Sequence, residues 1–96
     1  MSDWTFLTNH SHVLLCIVQN PSIRLSEIAE KVGVTERTAF AIVTDLVGEG
    51  YLSKVRHGRR NEYLIHPELP FRHPIEKQSE IRSLLAIFEP DASAAG

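Results

Sequence analysis

The side chains whose types and spacing could do chemistry fall into three groups. Between Lys54 and Arg60 stand four bases, Lys54, Arg56, Arg59 and Arg60, with no acid among them. Such a run suits phosphates, because each guanidinium presents its N–H groups as a rigid fork. Upstream, Arg37 is followed at helical spacing by Ala41, Thr44 and Gly48, with Phe40 at the border of the row. A helix face that only meets water usually carries long charged residues. One arginine followed by small residues leaves room for something wide and polar, and a DNA major groove fits that description.

The third group is Cys16 with five histidines, a potential metal set. His12 and Cys16 are four apart and share a helical face, but a site needs three or four ligands and no second clustered pair appears. His10 and His12 point about 200° apart around a helix and cannot chelate together. We therefore expect no metal and no cofactor, and Cys16 reads as a small core hydrophobe. A phosphate-cradling glycine loop and a glycine-flanked serine are both missing, and the carboxylates scatter along solvated faces. No enzyme is expected.

Composition bounds the rest. Ninety-six residues make one domain whose single core would benefit from a partner subunit. The net charge of −2 does not announce a nucleic-acid binder, but its distribution matters more than its sum. Residues 26–50 hold five acids and two bases, so any attraction for DNA must come from the Lys54–Arg60 patch, doubled in a dimer. A lone cysteine suits a reducing compartment, and the longest apolar run, Val13 to Val18, is far too short to span a bilayer. We expect a cytoplasmic protein without membrane contact.

Positioning these groups falls to a few elements. Thr8 or Asn9 caps a first helix running to about Gln19, with Val13, Leu14, Ile17 and Val18 inward, and Asn20-Pro21 stops it. Leu25, Ile28, Ala29 and Val32 line one face of a second helix over 26–32, with Ser26 as its cap and Glu27 in its first turn. Gly33 breaks that helix in a left-handed turn, and Thr35 caps a third reaching about Glu49, whose Ala39, Ile42, Val43 and Leu46 face a core. Strand formers over 51–56 and 62–65 flank a turn, His57-Gly58-Arg59-Arg60-Asn61, which makes a hairpin displaying two adjacent arginines. After an irregular stretch, Pro74 opens a final helix striped by Ile81, Leu84, Leu85 and Phe88; Pro90 ends it, and residues 91–96 form a disordered tail.

The segments LSEIAEKVGVTERT, DLVGEGYLSK and GRRNEYLI together resemble the winged helix-turn-helix transcriptional regulators of the MarR/ArsR-like type over roughly residues 10–66. The resemblance implies a mainly α fold with a small β-hairpin: a three-helix core plus wing, with an additional C-terminal helix. Residues 1–9 would form an N-terminal arm, 10–66 the winged domain and 67–90 a connector with a dimerisation helix. A recognition helix over 35–49 would enter the major groove of double-stranded DNA, and the wing, 57–61, would lie on the flanking backbone or minor groove. The paired-cysteine motif of the metal-sensing members of this group is absent.

On that reading the DNA contacts fall on Thr35, Glu36, Arg37, Thr38, Phe40, Ala41 and Thr44 of the helix and on Lys54, Arg56, Arg59, Arg60 and Asn61 of the wing. Arg37 would reach a base edge, most naturally guanine, or clamp a phosphate. Plainer roles compete: Thr35 as a cap, Glu36 as a complement to the helix dipole, and Phe40 as packing against the hairpin or first helix. Trp4, Phe6, Leu7, Ile81, Leu84, Leu85 and Phe88 make more apolar surface than the winged core can absorb, so a homodimer joined by the final helix and the N-terminal arm is expected; the plainer alternative is that this helix folds back over its own domain. The alternatives are a winged helix serving as a protein-interaction module without DNA binding, and a metal- or redox-responsive regulator.

Overall fold

The computed structural model describes residues 4–88; the expected helix stop at Pro90 and the tail over 91–96 lie outside the described residues. The order of elements is α1 (Asn9–Gln19), α2 (Leu25–Val32), α3 (Glu36–Gly48), β1 (Leu52–His57), β2 (Arg60–Ile65) and α4 (Ile81–Ile87). This is the winged helix arrangement: helices plus one two-stranded antiparallel hairpin.

Local chemistry explains each boundary. Thr8 caps α1 by accepting from the Ser11 N–H, and the extended Asn20 before Pro21 ends it. Helix α2 starts one residue earlier than expected: Arg24 is its N-cap, and the Glu27 carboxylate accepts from the Arg24 N–H at 3.2 Å. Ser26, expected as the cap, therefore sits inside the first turn. Gly33, at φ +86°, closes α2 in the left-handed region, and its N–H donates to the Ala29 carbonyl at 2.8 Å. Thr35 then caps α3 by accepting from the Thr38 N–H at 3.0 Å.

The core takes at least one fully buried side chain from each of α1, α2, α3 and β1. Val13 and Ile17 come from α1, Ile28 from α2, Val43 from α3 and Leu52 from β1. Each such burial stabilises by about 1.5–3 kcal/mol. The helix stripes read from the sequence are thus the ones that meet, although Val18, Leu25 and Val32 are only partly buried.

The hairpin is tighter than expected. His57 pairs with Arg60, so the turn contains only Gly58 and Arg59, and Gly58 at φ +62° supplies the positive dihedral that a type II′ turn needs first. Arg60 and Asn61 therefore belong to β2, and the two adjacent arginines are not a shared tip. Arg59 sits in the turn and Arg60 opens the strand.

Beyond β2 the chain corrects two expectations. Pro74 does not start a helix: residues 74–79 form turns, Pro70 bridges Glu80, and α4 begins only at Ile81. The reason is amphipathic, since residues 75–80 carry one apolar side chain, Ile75, and it is exposed. Backbone bonds from Ile81 to Leu69 and from Arg82 to Pro67 dock the start of α4 against the connector. Ile81, Leu84 and Leu85 are then buried against their own chain, at 4–9% exposure. Phe88, Ile87, Trp4, Phe6 and Ile75 remain exposed, whereas Leu7 is half-buried.

Candidate nucleic-acid interface

Helix α3 packs its Ala39, Ile42, Val43 and Leu46 side into the core and leaves the opposite side open. Glu36, Arg37, Thr38, Phe40, Ala41, Thr44 and Gly48 are all exposed. Arg37 makes no hydrogen bond or ion pair with the described residues, so its fork is free. Phe40 is 53% exposed and lies outside the core cluster. A Cβ at Gly48 would meet nothing within 4 Å, so none of the described residues demands a small residue there.

Two hydroxyls of this row are committed internally. Thr35 both accepts from the Thr38 N–H and donates to the Thr38 hydroxyl at 3.1 Å. The Thr44 hydroxyl donates to the Phe40 carbonyl at 2.9 Å, which turns its proton inward while its oxygen can still accept. Next to Thr44, Asp45 lies 2.9 Å from His10 Nε2, tying the start of α1 to α3. Sequence spacing had not joined these two, since they are far apart in the chain and each reads as an ordinary surface residue.

On the wing, Lys54, Arg56 and Asn61 share the hairpin face of Leu52, Tyr63 and Ile65, while His57 and Arg60 lie on the other. Arg56 Nε donates to the Gly58 carbonyl at 3.0 Å and braces the turn. Arg59 occupies the turn itself and is exposed. Arg60 is exposed too, but its Nη2 donates to the Ser22 carbonyl at 2.9 Å, so it leans back on the connection between α1 and α2. His57 lies 3.0 Å from the Glu62 carboxylate, the first acid after the basic run.

His12 and Cys16 do line a common depression, with Lys31. Burial pushes the Cys16 thiol above its ordinary pKa, partly opposed by the Lys31 charge, and His12 Nδ1 lies 3.1 Å from the Asn9 carboxamide oxygen. Among the described residues no three His, Cys, Asp or Glu side chains gather as a metal-ligand set, and no helix is long and apolar enough to cross a membrane.

Comparisons place this arrangement. The sequence pattern of the MarR family matches residues 8–59, from the cap of α1 to the wing turn. An uncharacterised HTH-type transcriptional regulator of Bacillus subtilis (strain 168), YhjH, is 40% identical over 45 residues, which are 47% of this chain and 26% of that protein. The chain thus spans about a quarter of that relative's length. The crystal structure of the PcaV transcriptional regulator from Streptomyces coelicolor, in complex with its natural ligand, superposes with a TM-score of 0.56 at 25% identity, covering 98% of this chain and 70% of that one. The zinc-dependent MarR family regulator AdcR, in its Zn(II)-bound state, gives a TM-score of 0.49 at 25% identity over 69% of this chain and 47% of its own. A family pattern covering more than half of the sequence, on a helix-turn-helix with its wing, means that this chain belongs to the MarR family of winged-helix transcriptional regulators.

Proposed function

We propose that this chain binds double-stranded DNA sequence-specifically as a homodimer, α3 entering the major groove and the wing gripping the flanking backbone or minor groove, and so regulates transcription in the cytoplasm. The observation that carries the reading is the open row on α3, with Arg37 unpartnered at one end and Ala41, Thr44 and Gly48 behind it. MarR-family regulators bind DNA and act as dimers, which supports both halves of the proposal.

Within it, Arg37 reads a base edge, bidentate to guanine. Phe40 lies against a thymine methyl, Ala41 and Gly48 allow close approach, and the Thr44 oxygen accepts from a base or water. Thr38 and Glu36 flank the helix start, where Glu36 complements the dipole. Lys54, Arg56, Asn61 and above all Arg59 meet phosphates. The dimer uses Phe88 and Ile87 with Trp4, Phe6 and Leu7, because the rest of the α4 stripe is already occupied. A twofold pair would read half-sites about 34–36 Å apart, one helical turn.

Selection from a random duplex pool at near-physiological salt, followed by titration at two salt concentrations, tests the proposal. We expect a palindromic consensus, a steep salt dependence, and loss of sequence preference in Arg37→Ala. A chain that retains no duplex, or light scattering that finds only monomer at micromolar concentration, counts against it. The exposed Phe40 beside small residues also suits a protein partner. That second reading is favoured if α3 variants abolish a protein complex while the pool yields nothing.

A further inference from the structure

Arg24 was not singled out by its sequence context, yet the fold brings it to the wing. Arg24, Arg59 and Arg60 line a single depression of about 300 Å³, together with Ser22 and Asn61, and among the described residues no carboxylate contributes to its walls. This concentration of positive charge occurs in a chain whose net charge is −2. The nearest acid in sequence, Glu27, spends its carboxylate on the Arg24 backbone N–H rather than on the guanidinium. Among the described residues no hydrogen bond or ion pair engages the side chain of Arg24 or of Arg59.

Arg60 behaves differently. Its bond to the Ser22 carbonyl lies close to a backbone bond from the Tyr63 N–H to the Pro21 carbonyl at 2.9 Å. β2 is therefore fastened at two points to the segment that leads into α2. That fastening adds to the anchoring that the buried Leu52 and Tyr63 give the base of the hairpin.

We infer that the depression between the wing and the start of α2 is a cradle for one backbone phosphate of the bound duplex: Arg24 and Arg59 contact the phosphate, and Arg60 is a positioning residue that holds the wing against Ser22 so that the two forks converge. The inference rests on the DNA-binding reading above and deepens it. A phosphodiester offers two anionic oxygens to forked donors, so it can satisfy guanidinium groups that no carboxylate in the depression neutralises. The contact carries no sequence information; it sets the register of the protein on the duplex.

The test uses the full chain and the duplex selected from the random pool. Arg24→Ala and Arg24→Gln both keep the backbone N–H that Glu27 caps. Each is expected to reduce the steepness of log K against log salt by less than about 0.9 per chain, because the other arginine still holds the phosphate, and so is Arg59→Ala; about 0.9 per chain is the ceiling, reached only when both forks are removed. The selected consensus should persist in all three. In DNA-free protein, Arg60→Ala should speed hydrogen exchange at the Tyr63 amide, while Arg24→Ala should leave that rate unchanged. An unaltered salt slope in both Arg24 variants, with Arg37→Ala still abolishing sequence preference, would overturn the cradle and leave the DNA reading intact. An unaltered Tyr63 exchange rate in Arg60→Ala would overturn the positioning role. Shifts of the Arg24 Nε–Hε signal on adding inorganic phosphate without DNA, at matched ionic strength, would reassign the depression to a free anion. If the wild-type chain retains no duplex, the DNA reading falls and the cradle falls with it.

Discussion

Removing the Thr35 hydroxyl separates two roles that the residue has from its position at the start of α3. Its oxygen accepts from the Thr38 N–H at 3.0 Å and its proton goes to the Thr38 hydroxyl at 3.1 Å, so the group is used within the chain and nothing is left to donate to a phosphate. Thr35→Ala loses an N-cap, worth about 1 kcal/mol; the second bond is solvent-exposed and adds little. For a domain of this size, about 1 kcal/mol lowers Tm by about 4–8 °C. Thr35→Asp restores the acceptor and complements the dipole, so it should recover the lost Tm while weakening DNA binding through its negative charge. At a temperature where both proteins are folded, Thr35→Ala should bind the selected duplex within about twofold of wild type, because a cap that costs about 1 kcal/mol of several leaves the folded fraction near unity. Thermal denaturation followed by circular dichroism, with fluorescence anisotropy on labelled duplex, measures both quantities. An unchanged Tm with a tenfold loss of affinity would refute the reasoning and return the hydroxyl to the DNA.

Further outcomes follow from single positions. Gly33→Ala should destabilise by about 1–2 kcal/mol in urea denaturation, since a Cβ there meets nothing within 4 Å and the whole cost is the dihedral at φ +86°. Gly48→Ala should do the reverse, stabilising α3 by about 0.5 kcal/mol, and on the proposed docking it should reduce DNA affinity by filling the space that the row would offer to the groove. Ile17→Ala, at a fully buried position, should cost about 2–5 kcal/mol by the same assay. Burial raises the Cys16 thiol, so alkylation by iodoacetamide should inflect at higher pH in the native protein than in the urea-unfolded chain. The sign for stability follows: Cys16, Tyr51 and Tyr63 all hold their protons more tightly when folded, so stability is full below their ordinary values and declines as pH rises from about 9 through the raised folded values. A denaturation midpoint that rises over that alkaline range would contradict this.

Helices α1 to α3 were legible because their information is local. The stripe of Ile28 and Ala29, the left-handed Gly33 and the Thr35 cap each act within one or two turns, and each ended up where its chemistry put it. The exposed row from Arg37 to Gly48 was legible for the same reason, since a helix that buries one side must show the other. The starting residue of α2 was misread because Ser26 is a good cap in isolation, whereas Glu27 reaching back to the Arg24 N–H sets the true boundary. At the wing, composition located the basic run but not its division: a two-residue turn, possible because Gly58 takes a positive φ, sends Arg59 and Arg60 to different tasks.

Hydrophobic spacing, caps and breakers determined by themselves a helix-turn-helix followed by a hairpin, with one side of α3 left open. They act between neighbours, so no distant contact was needed to read them. Only tertiary packing decided that Ile81, Leu84 and Leu85 close over their own core, that Arg60 bonds to Ser22, and that Arg24 stands beside Arg59. An apolar stripe states that it will be buried but not against which surface, and an arginine states its charge but not its counterpart. Both choices depend on residues brought together across tens of positions of chain, which no local spacing encodes.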